Sequence, residues 1–593
     1  MNKKKSGFHL PKSHLGRTAL SLVITAIVGF VYFYVSLPAL NLHAGEFYSF
    51  LAMLCLVYLV CVFLLSGAPR AEEDVEVVQA PGQKIKDWLK FIKSRSAPVA
   101  ILFVAILLIA AVGQVLSMPI FRASAYRDLL VPETSNFSED VAQISFNEIP
   151  TLDRQSAEYL GDRQMGTLSD MVSQFEYSND STQINYQGRP VRVAPIGYAD
   201  LFKWFMNRGE GLPAYVVVDM VTQEATVTRL SEGMKYSFSE PLNRNIARHL
   251  RFNFPTMMFA TPEFEIDESG HPYWVAPRVV KTIGLFGGID INGAVLVDAV
   301  TGECTYYETV PNWVDNVYDP VLIMQQYDYH GTMINGFINS ILGQRDVTKT
   351  TQGYNYIALN DDVYAYTGVT SANADQSNLG FLLCNMRTKE TNFYVAPGAT
   401  EYAAMQSAMG VVQDLGYNAT FPLLLNIAGE PTYFIPLKDN TQLVKSYAMV
   451  NVAQYQIVVT GDSVSSCEQK YIQKLSEKGI TSPNELPQTS AQGIVAEIRT
   501  AVMDGNTYFF VRLEDENTFY AVSARDNRDV VTLNVGDSVT IEHALPVEGQ
   551  ETSILDGYRL TIDGRFREVP VQLPMSEVEA PEQTPAVDIN API

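Results

Sequence analysis

Three long apolar runs near the N-terminus limit what this chain can fold into more than any other feature. They extend over Thr18–Leu40, Phe47–Gly67 and Pro98–Phe121, and none contains a charged residue. A helix needs roughly 20 apolar residues, at about 1.5 Å of rise per residue, to cross the hydrocarbon core of a bilayer. We therefore predict three transmembrane helices, the third over residues 98–121. A cleaved signal peptide is the alternative for the first run, but that run is long and lacks a small-residue cleavage site.

The distribution of Lys and Arg around the three runs predicts their orientation. Five of these residues precede the first run, none lies between the first and second, and six lie between the second and third. Because cytoplasmic loops retain Lys and Arg, we place the N-terminus and the basic loop 68–97 in the cytoplasm. The basic amphipathic stretch Lys84–Ser96 should then contact the inner leaflet of the lipid bilayer. Residues 120–593 are expected to be extracytoplasmic.

Charge is divided unevenly between the two parts of the chain. Residues 1–119 contain 11 basic and 6 acidic residues, and the remainder contains 31 basic and 59 acidic residues. Such acidity argues against nucleic acid as a partner, since phosphate contacts need clustered Lys and Arg. It is typical of a well-solvated outer domain, and it also suits a domain that meets cations or a basic polymer.

A short pattern, [DN]-x-x-T-x-E, recurs along the outer part of the chain and decays to amides at Asn451, Gln454 and Gln456. Acidic and hydroxyl side chains at a hairpin tip could form a metal or catalytic site. A repeated and then degraded pattern is instead typical of a structural turn, in which Asp or Asn caps the bend and Gly302 takes a special backbone conformation. The predicted turn markers are Asp219, Thr222, Glu224, Asp298, Thr301, Glu303, Asn385, Thr388 and Glu390.

A second pattern, G-x-P-x-x-x-x-P, precedes three of these hairpins, at Gly188–Pro195, Gly270–Pro277 and Gly429–Pro436. The Gly supplies a turn, the first Pro begins a strand, and we expect the second Pro to end it. A short strand precedes each turn, and a stretch with helical signals follows each hairpin. The outer chain is therefore predicted to be α+β, built from repeated antiparallel ββββα units with the helix on one face.

These patterns predict the organisation of the whole chain. Residues 1–119 contain the cytoplasmic N-terminus and the transmembrane helices, and residues 120–180 form a membrane-proximal helical stalk. Four repeated units occupy residues 181–256, 257–345, 346–416 and 417–480. A linker, 481–490, precedes residues 491–570, where period-two alternation and turn signals predict a small OB-like β-barrel. Residues 571–593 are expected to be disordered.

No established catalytic or metal-binding motif occurs in the chain, so no catalytic residue and no cofactor is predicted. Glu265, Asp267 and Glu268 lie close together in sequence, and they offer at most a weak cation site, with a solvated turn as the simpler interpretation. The five cysteines have neither disulfide-framework nor metal-ligand spacing. Aromatic residues of the predicted barrel could stack on a ligand or fill the barrel core: Tyr508, Phe509, Phe510, Phe519 and Tyr520.

Two resemblances add to this interpretation. The hairpin pattern D-x-x-T-G-E resembles the closing hairpin of PepSY-type domains, small α+β modules found outside bacterial membranes. The stretches FEIDESGHPYWVAP, TTQGYNYIALNDDVYAYTGVTSANADQSNLGF and ATFPLLLNIAGEPTYF resemble a Firmicute family of membrane-anchored proteins with PepSY-like extracytoplasmic repeats. This family resemblance covers most of residues 20–480 and brings no catalytic residues with it. The PepSY resemblance implies binding or regulation of a partner rather than catalysis.

Together these features predict a membrane-anchored extracytoplasmic protein of the bacterial cell envelope that acts in binding, scaffolding or sensing. Its expected partners are the lipid bilayer and an envelope protein or polymer. Two alternatives stay open: a cell-envelope hydrolase with carboxylates assembled between repeats, and an accessory subunit of a membrane complex. A pocket lined by converging carboxylates with shifted pKa values would favour the hydrolase.

The predicted orientation can be tested by adding protease to intact cells. Residues 120–593 should be degraded while the loop 68–97 survives, because the membrane shields the cytoplasmic side. Immunoblots with antibodies against each region measure the outcome. If a known surface protein is lost while residues 120–593 survive, the predicted orientation is wrong.

Overall fold

The computed structural model describes residues 14–65, 81–141, 149–359, 361–372, 377–478, 480, 489–503, 506–525, 527–543 and 554–563. The predicted disordered tail 571–593, most of the predicted linker 481–490 and much of the loop 68–97 lie outside these ranges. The chain divides into two compact units, Met1–Glu485 and Leu486–Ile593.

Three helices near the N-terminus are long and apolar enough to cross a membrane, as the sequence predicts. They are α1 (His14–Ser36), α2 (Gly45–Leu65) and α3 (Pro81–Leu116). Their outward side chains are largely exposed, including Phe30, Phe63 and Leu108. Apolar surface of this extent is typical of helices that contact lipid.

The third helix differs from its predicted range of 98–121. It begins at Pro81, so the basic stretch Lys84–Ser96 belongs to the same helix, and Pro98 lies inside it. It ends at Leu116 because Met118 precedes a proline and takes an extended conformation. Pro119 then opens a separate helix, α4 (Pro119–Arg127).

The ends of the spans are packed against the β-rich part of the first unit. Ser117, just after α3, is buried, and its hydroxyl accepts hydrogen bonds from the N–H groups of Leu285 and Phe286 at 2.9 and 3.1 Å. The Phe286 ring meets Tyr48 of α2 edge to face, with centroids 5.3 Å apart. Arg251 Nε donates to the carbonyl of Leu37, the residue directly after α1, at 2.9 Å. The position of the sheets relative to the spans is therefore fixed by directional contacts.

Short elements connect the spans to four antiparallel sheets. These elements are β1 (Glu133–Ser135), α5 (Phe137–Asp140) and α6 (Arg154–Gly166). The first sheet contains β2 (Phe175–Tyr177), β3 (Thr182–Tyr186), β4 (Arg189–Tyr198), β5 (Leu212–Asp219) and β6 (Ala225–Met234), with α7 (Leu201–Asn207) after β4 and α8 (Ile246–Asn253) after β6. The second contains β7 (Met258–Phe259), β8 (Glu263–Ile266), β9 (Pro272–Ile283), β10 (Gly287–Asp298) and β11 (Cys304–Tyr307), followed by α9 (Pro320–Thr332) and a π-helical turn, Asn339–Gly343.

The other two sheets are composed in the same way. The third contains β12 (Thr348–Thr350), β13 (Asn355–Leu359), β14 (Asp362–Ser371), β15 (Ser377–Asn385) and β16 (Thr391–Ala399), followed by α10 (Glu401–Val411). The fourth contains β17 (Asn418–Ala419), β18 (Leu423–Ile427), β19 (Glu430–Lys438), β20 (Val444–Asn451) and β21 (Val458–Gly461), followed by α11 (Val464–Glu477).

One strand order is common to all four sheets. The third strand of each sheet pairs with the fourth, and the fourth pairs with the fifth. On its other side the third strand pairs with two short strands placed end to end, the second strand along its first half and the first strand along its second half. In the third sheet, β1 adds in parallel at the edge formed by β16.

The second proline of the G-x-P-x-x-x-x-P pattern does not end the third strand, contrary to expectation. Pro195, Pro277 and Pro436 lie inside β4, β9 and β19. Each proline carbonyl accepts a backbone hydrogen bond, between 2.9 and 3.2 Å long, from the connection that joins the two short strands. The N–H and C=O of one residue point to the same side of an antiparallel strand. The missing N–H therefore faces the junction of the short strands, where no ladder bond is lost.

The predicted ββββα order omits one strand in each sheet. The omitted strand is the first one, and β2, β7, β12 and β17 have only two or three residues each. Such short segments carry no detectable alternation of apolar and polar residues. A helix follows each sheet, as predicted, although α10 packs against β19 and β20 of the sheet that comes after it.

The first and second sheets share one hydrophobic core. It includes Val193 and Val216 from the first sheet and Trp274 and Val295 from the second. The Trp274 ring is fully buried, and its indole N–H donates to the Tyr236 carbonyl at 2.9 Å, so the polar atom of the largest core residue is satisfied. The two sheets must consequently fold as one body.

The second unit contains five further strands: β22 (Thr489–Met503), β23 (Asn506–Leu513), β24 (Phe519–Ser523), β25 (Ser538–His543) and β26 (Ile554–Ile562). Hydrogen bonding runs from β22 through β23, β24, β26 and β25 and returns to β22. β22 pairs with two strands because it is long: residues 489–494 pair with β25, and residues 495–503 pair with β23. Val511, Tyr520 and Val522 belong to its interior.

Ser117→Ala should weaken the attachment of the second sheet to the spans. The substitution removes the acceptor of the partly buried N–H groups of Leu285 and Phe286, at a cost of about 1 kcal/mol. Hydrogen exchange of the 283–288 segment, measured by mass spectrometry on the full chain in detergent, should accelerate severalfold.

Ser49→Ala is the matched control, because Ser49 is an exposed serine of α2 whose hydroxyl bonds only within its own helix. Equal exchange of the 283–288 segment in the two variants would show that the Ser117 hydroxyl does not hold the hairpin.

Candidate functional site

A cavity of about 560 Å³ lies where the sheets of the first unit meet. Its walls come from α6, β3, β4, β8 and β13 and from the segment 316–320 that leads into α9. We call it the central cavity. It is within the range of small-molecule binding sites, but its lining is more polar than most of them. The side chains that decide its chemistry are Arg154, Glu158, Arg192, Glu263, Asp319 and Tyr356.

Arg192 is the most unusual of these residues because its guanidinium is buried. It lies on β4, in the middle of a strand whose other residues are mostly apolar, and only 4% of its surface is exposed. Its Nη1 donates to the carbonyl and hydroxyl oxygens of Ser181 at 3.1 and 3.3 Å. Within the described part of the chain its Nε has no hydrogen-bond partner and the guanidinium makes no ion pair.

Burial lowers the pKa of Arg192, because the charged form loses solvation. A guanidinium nonetheless remains protonated in proteins, so a positive charge stays at the cavity wall. A buried charge without a counter-ion is costly unless a ligand or water completes its hydrogen bonds. The Nε of Arg192 is enclosed by protein, so an anionic group in the cavity would meet Arg192 where the side chain lines the cavity and not at Nε.

Glu263 opens onto the same cavity from β8 and is half-buried. Burial raises its pKa to about 8, and the negative charges of Glu265 and Asp319 add to this shift. At neutral pH the Glu263 carboxyl is consequently protonated for most of the time and can donate a hydrogen bond. Burial likewise raises the pKa of Tyr356 well above its usual value, so the phenol stays neutral as a second donor.

The other acids of the cavity wall already have partners. Glu158 accepts hydrogen bonds from Arg154 Nε at 2.7 Å and from the Ser181 hydroxyl at 2.8 Å. Asp153 pairs with Lys438 at 2.7 Å across to the fourth sheet. Asp319 caps α9 and accepts from the N–H of Val321 at 2.6 Å. These carboxylates are fixed in position, which limits how far they can turn toward a ligand.

A second group of buried polar residues holds the segment before α9, which forms part of the cavity wall. The carboxylate of Glu265 accepts three hydrogen bonds, from the N–H groups of Asp315 and Asn316 at 3.0 and 2.9 Å and from the Asn316 amide at 3.2 Å. Asp315 accepts from the N–H of Asn185 on β3 at 2.6 Å. Burial raises the pKa of Asp315 well above its usual value, and the neighbouring Glu265 charge adds to this effect. These bonds fix the segment before α9 against both β3 and β8.

None of the predicted turn markers lies in the central cavity. They lie in the connections between the fourth and fifth strands of their sheets, and each turn has the same hydrogen bonds. Asp219, Asp298 and Asn385 each accept from the backbone N–H groups two and three residues later, between 2.8 and 2.9 Å. The residue after each Thr has a positive φ, 62° at Gln223, 80° at Gly302 and 69° at Lys389. The worn copy keeps one such bond, from the N–H of Gln454 to Asn451 at 2.8 Å.

The structure disperses the acidic stretch that offered a weak cation site. Glu265 is fully buried and bonded to the chain before α9, whereas Asp267 caps its own turn by accepting from the N–H groups of Ser269 and His271, both at 2.9 Å. Among the described residues no group of three His, Cys, Asp or Glu side chains has a geometry suited to a metal ion. All five cysteines are free thiols.

The aromatic residues of the second unit have mixed positions. Tyr520 is buried in its interior, and Phe509 packs partly against the same core. Phe519 is half-buried, and the Arg499 guanidinium lies 4.7 Å from its ring centroid. They do not form one exposed stacking face.

Sequence reasoning did not identify Arg192, Glu263 or Tyr356. The available signal was a charged residue at an inward position of an apolar strand, as in GRPVRVAP and PEFEI. That signal does not show which strands converge, and Arg192 and Tyr356 are 164 positions apart in the chain. No protein-family model matches the chain, and a search of curated proteins finds no match.

Glu263→Gln should reduce the loss of stability that occurs as the pH rises. An ordinary Glu ionises near pH 4.3 in the unfolded chain, whereas folded Glu263 keeps its proton to about pH 8. Between these values the unfolded state binds fewer protons, so the free energy of unfolding falls with pH. The amide removes this contribution, which we expect to be about 1–3 kcal/mol after solvent in the cavity is allowed for.

Thermal unfolding of the full chain between pH 5 and pH 8.5 measures this effect. Glu268→Gln is the control, because Glu268 is exposed in the turn after β8. The same decline in transition temperature for wild type and Glu263→Gln would contradict a protonated Glu263.

Proposed function

We propose that this chain is a membrane-anchored extracytoplasmic binding protein of the bacterial cell envelope, and that the central cavity is its ligand site. The observation that carries the proposal is Arg192, a buried guanidinium that lines the cavity and has no ion-pair partner among the described residues. A protein that used these residues for stability alone would gain more from an apolar side chain at this position. A binding function explains why the charge is present.

The ligand chemistry follows from the groups that remain free in the cavity. Arg192, protonated Glu263 and Tyr356 offer hydrogen-bond donors that suit a carboxylate. Asp319 and Asp180 add negative charge to the same lining, where an ammonium group would be favoured. A short peptide carries both kinds of group, and a cavity of about 560 Å³ can hold a few of its residues. We therefore propose a peptide segment with a free carboxylate as the ligand class, either alone or as part of an envelope polymer.

In the proposed architecture, the four sheets around this site are related repeats. Shared strand order, the common turn geometry and the prolines at equivalent junctions support the interpretation that the sheets are copies of one PepSY-like unit. The second unit supports an OB-like interpretation, since its strands occur in the order first, second, third, fifth and fourth, with the third and fifth parallel. The charge bias around the spans supports an extracytoplasmic location for residues 120–593.

A cell-envelope hydrolase is the second candidate, favoured by Glu263. Its pKa of about 8 would suit a general acid at neutral pH. A hydrolase would also need a free carboxylate as base or nucleophile, but Glu158 and Asp153 are held in ion pairs, Asp319 caps α9, and Asp180 accepts from the Ser178 hydroxyl. Binding accounts for the arrangement with fewer requirements. An accessory subunit of a membrane complex remains compatible with binding, because the spans would then be an additional docking surface.

The proposal is tested by titrating the full chain, in detergent, with short synthetic peptides and with their C-terminally amidated counterparts. We expect binding of some free-carboxylate peptides, and a loss of about tenfold or more when the carboxylate is amidated or when Arg192→Met is introduced. Arg189→Met is the matched control, because Arg189 lies on the same strand with 59% of its side chain exposed and pairs outside the cavity with Asp219.

Isothermal titration calorimetry measures the affinities, and mass spectrometry of the peptides after incubation detects cleavage. Cleavage that stops in Glu263→Gln would favour the hydrolase. Equal binding of free and amidated peptides, or equal affinity in Arg192→Met and wild type, would show that the cavity does not recognise a carboxylate.

A further inference from the structure

The helix α7 presents an apolar face that no described part of the chain covers. Leu201, Phe202, Phe205 and Met206 are exposed by 68, 82, 59 and 80%. At about 100° per residue these four side chains form one continuous face of the helix. Isolated apolar residues on a surface need no explanation, but four large ones on one short helix indicate a contact surface.

The orientation of α7 is fixed by the residues on its other sides. Asp200 caps the helix by accepting from the N–H groups of Phe202 and Lys203 at 2.7 and 2.9 Å. The Trp204 indole donates to the buried carboxyl of Glu240 at 2.7 Å. The apolar face cannot rotate inward without breaking these bonds, so its exposure is a built feature of the fold.

Contacts place α7 next to the membrane spans. Arg244 donates to the carbonyl of Arg208, directly after α7, at 2.8 Å. The neighbouring Asn243 accepts from the Tyr34 hydroxyl of α1 at 3.1 Å, and Phe252 meets Phe33 of the same span edge to face at 5.6 Å. The C-terminal end of α7 is therefore connected to the end of α1 through Arg244 and its neighbour Asn243.

The second sheet has a comparable apolar connection. Its link between the third and fourth strands carries Leu285 and Phe286, which pack against α2 and α3. In the first sheet the same connection carries α7. Apolar residues therefore occupy the equivalent connection in both sheets.

A second exposed apolar patch lies after α9. Its members are Ile338, Ile341 and Leu342, exposed by 73, 58 and 81%. The end of α9 adjoins the helix that follows the third span, because the His330 ring bonds to the Arg127 carbonyl at 3.1 Å. That helix also exposes Phe121 by 60%.

We propose that the α7 face and the 338–342 patch are immersed in the interfacial region of the bilayer, at the leaflet where the spans meet the sheets. The occupant is lipid, because both patches lie on segments whose neighbours bond to residues at or just beyond the span ends, and a protein partner would have to displace the bilayer there. Lys203 and Arg208 flank the α7 face with positive charge that suits anionic headgroups. The sheets would then be held against the membrane at two places besides the three spans. This inference rests on the proposed membrane anchoring and is independent of the ligand of the central cavity.

Photocrosslinking to lipid tests the proposal on the full chain in proteoliposomes of phosphatidylethanolamine and radiolabelled phosphatidylglycerol. A photoreactive phenylalanine analogue replaces Phe202 or Leu342 in separate variants. The positive control is Phe63, exposed on α2 within a span. The negative control is Glu268, exposed in the turn at the far end of β9 from the Leu285 hairpin, roughly 35 Å away at about 3.3 Å per strand residue.

We expect lipid label at positions 202 and 342 within about threefold of that at 63, and background label at 268. Positions 206 and 338 provide a second pair in case an analogue disturbs folding, and every variant must retain the wild-type thermal transition. Background label at all four patch positions while 63 is labelled would overturn the proposal. A protein adduct at 202 in native membranes, in place of lipid, would overturn it in favour of a protein partner.

Discussion

Backbone hydrogen bonding of the third strand in each sheet is the constraint on which the rest of the structure depends. This strand pairs continuously on one side and with two short strands on the other, so its backbone must tolerate an interruption at the junction. Proline meets this requirement at Pro195, Pro277 and Pro436 because the donor that it lacks is not needed there. The short strands β3, β8 and β13, placed by this pairing, supply much of the wall of the central cavity.

The polar lining of the cavity does not make the fold more stable, so its presence needs another explanation. Glu263 and Arg192 both lose solvation, and neither has an ion-pair partner among the described residues. The surrounding segment before α9 is nevertheless held firmly by the three hydrogen bonds that Glu265 accepts. A rigid shell around incompletely satisfied groups is the arrangement expected of a binding site, because the ligand then completes hydrogen bonds without reorganising the protein.

Local elements of this fold can be predicted from the sequence, whereas the residues of the central cavity cannot. The three long apolar helices are predictable because their runs contain no charge, and the Asp298 turn is predictable because its hydrogen bonds close within five residues. The end of α3 at Leu116 depends on one proline three residues later and is harder to predict. Arg192, Glu263 and Tyr356 belong to three different sheets, and their convergence depends on how those sheets pack. No local pattern encodes that packing, so the cavity could not be predicted.

The hairpin of β9 and β10 has a mechanical consequence. Near one end it is hydrogen-bonded to β8, which carries Glu263 and Glu265, and at the other end Leu285 and Phe286 are wedged among the spans. Paired strands resist compression along their length, and this pair has few ways to bend apart from the irregularity between Ile291 and Ala294. A displacement of the cavity wall would therefore be transmitted to the three apolar helices as the movement of a stiff rod.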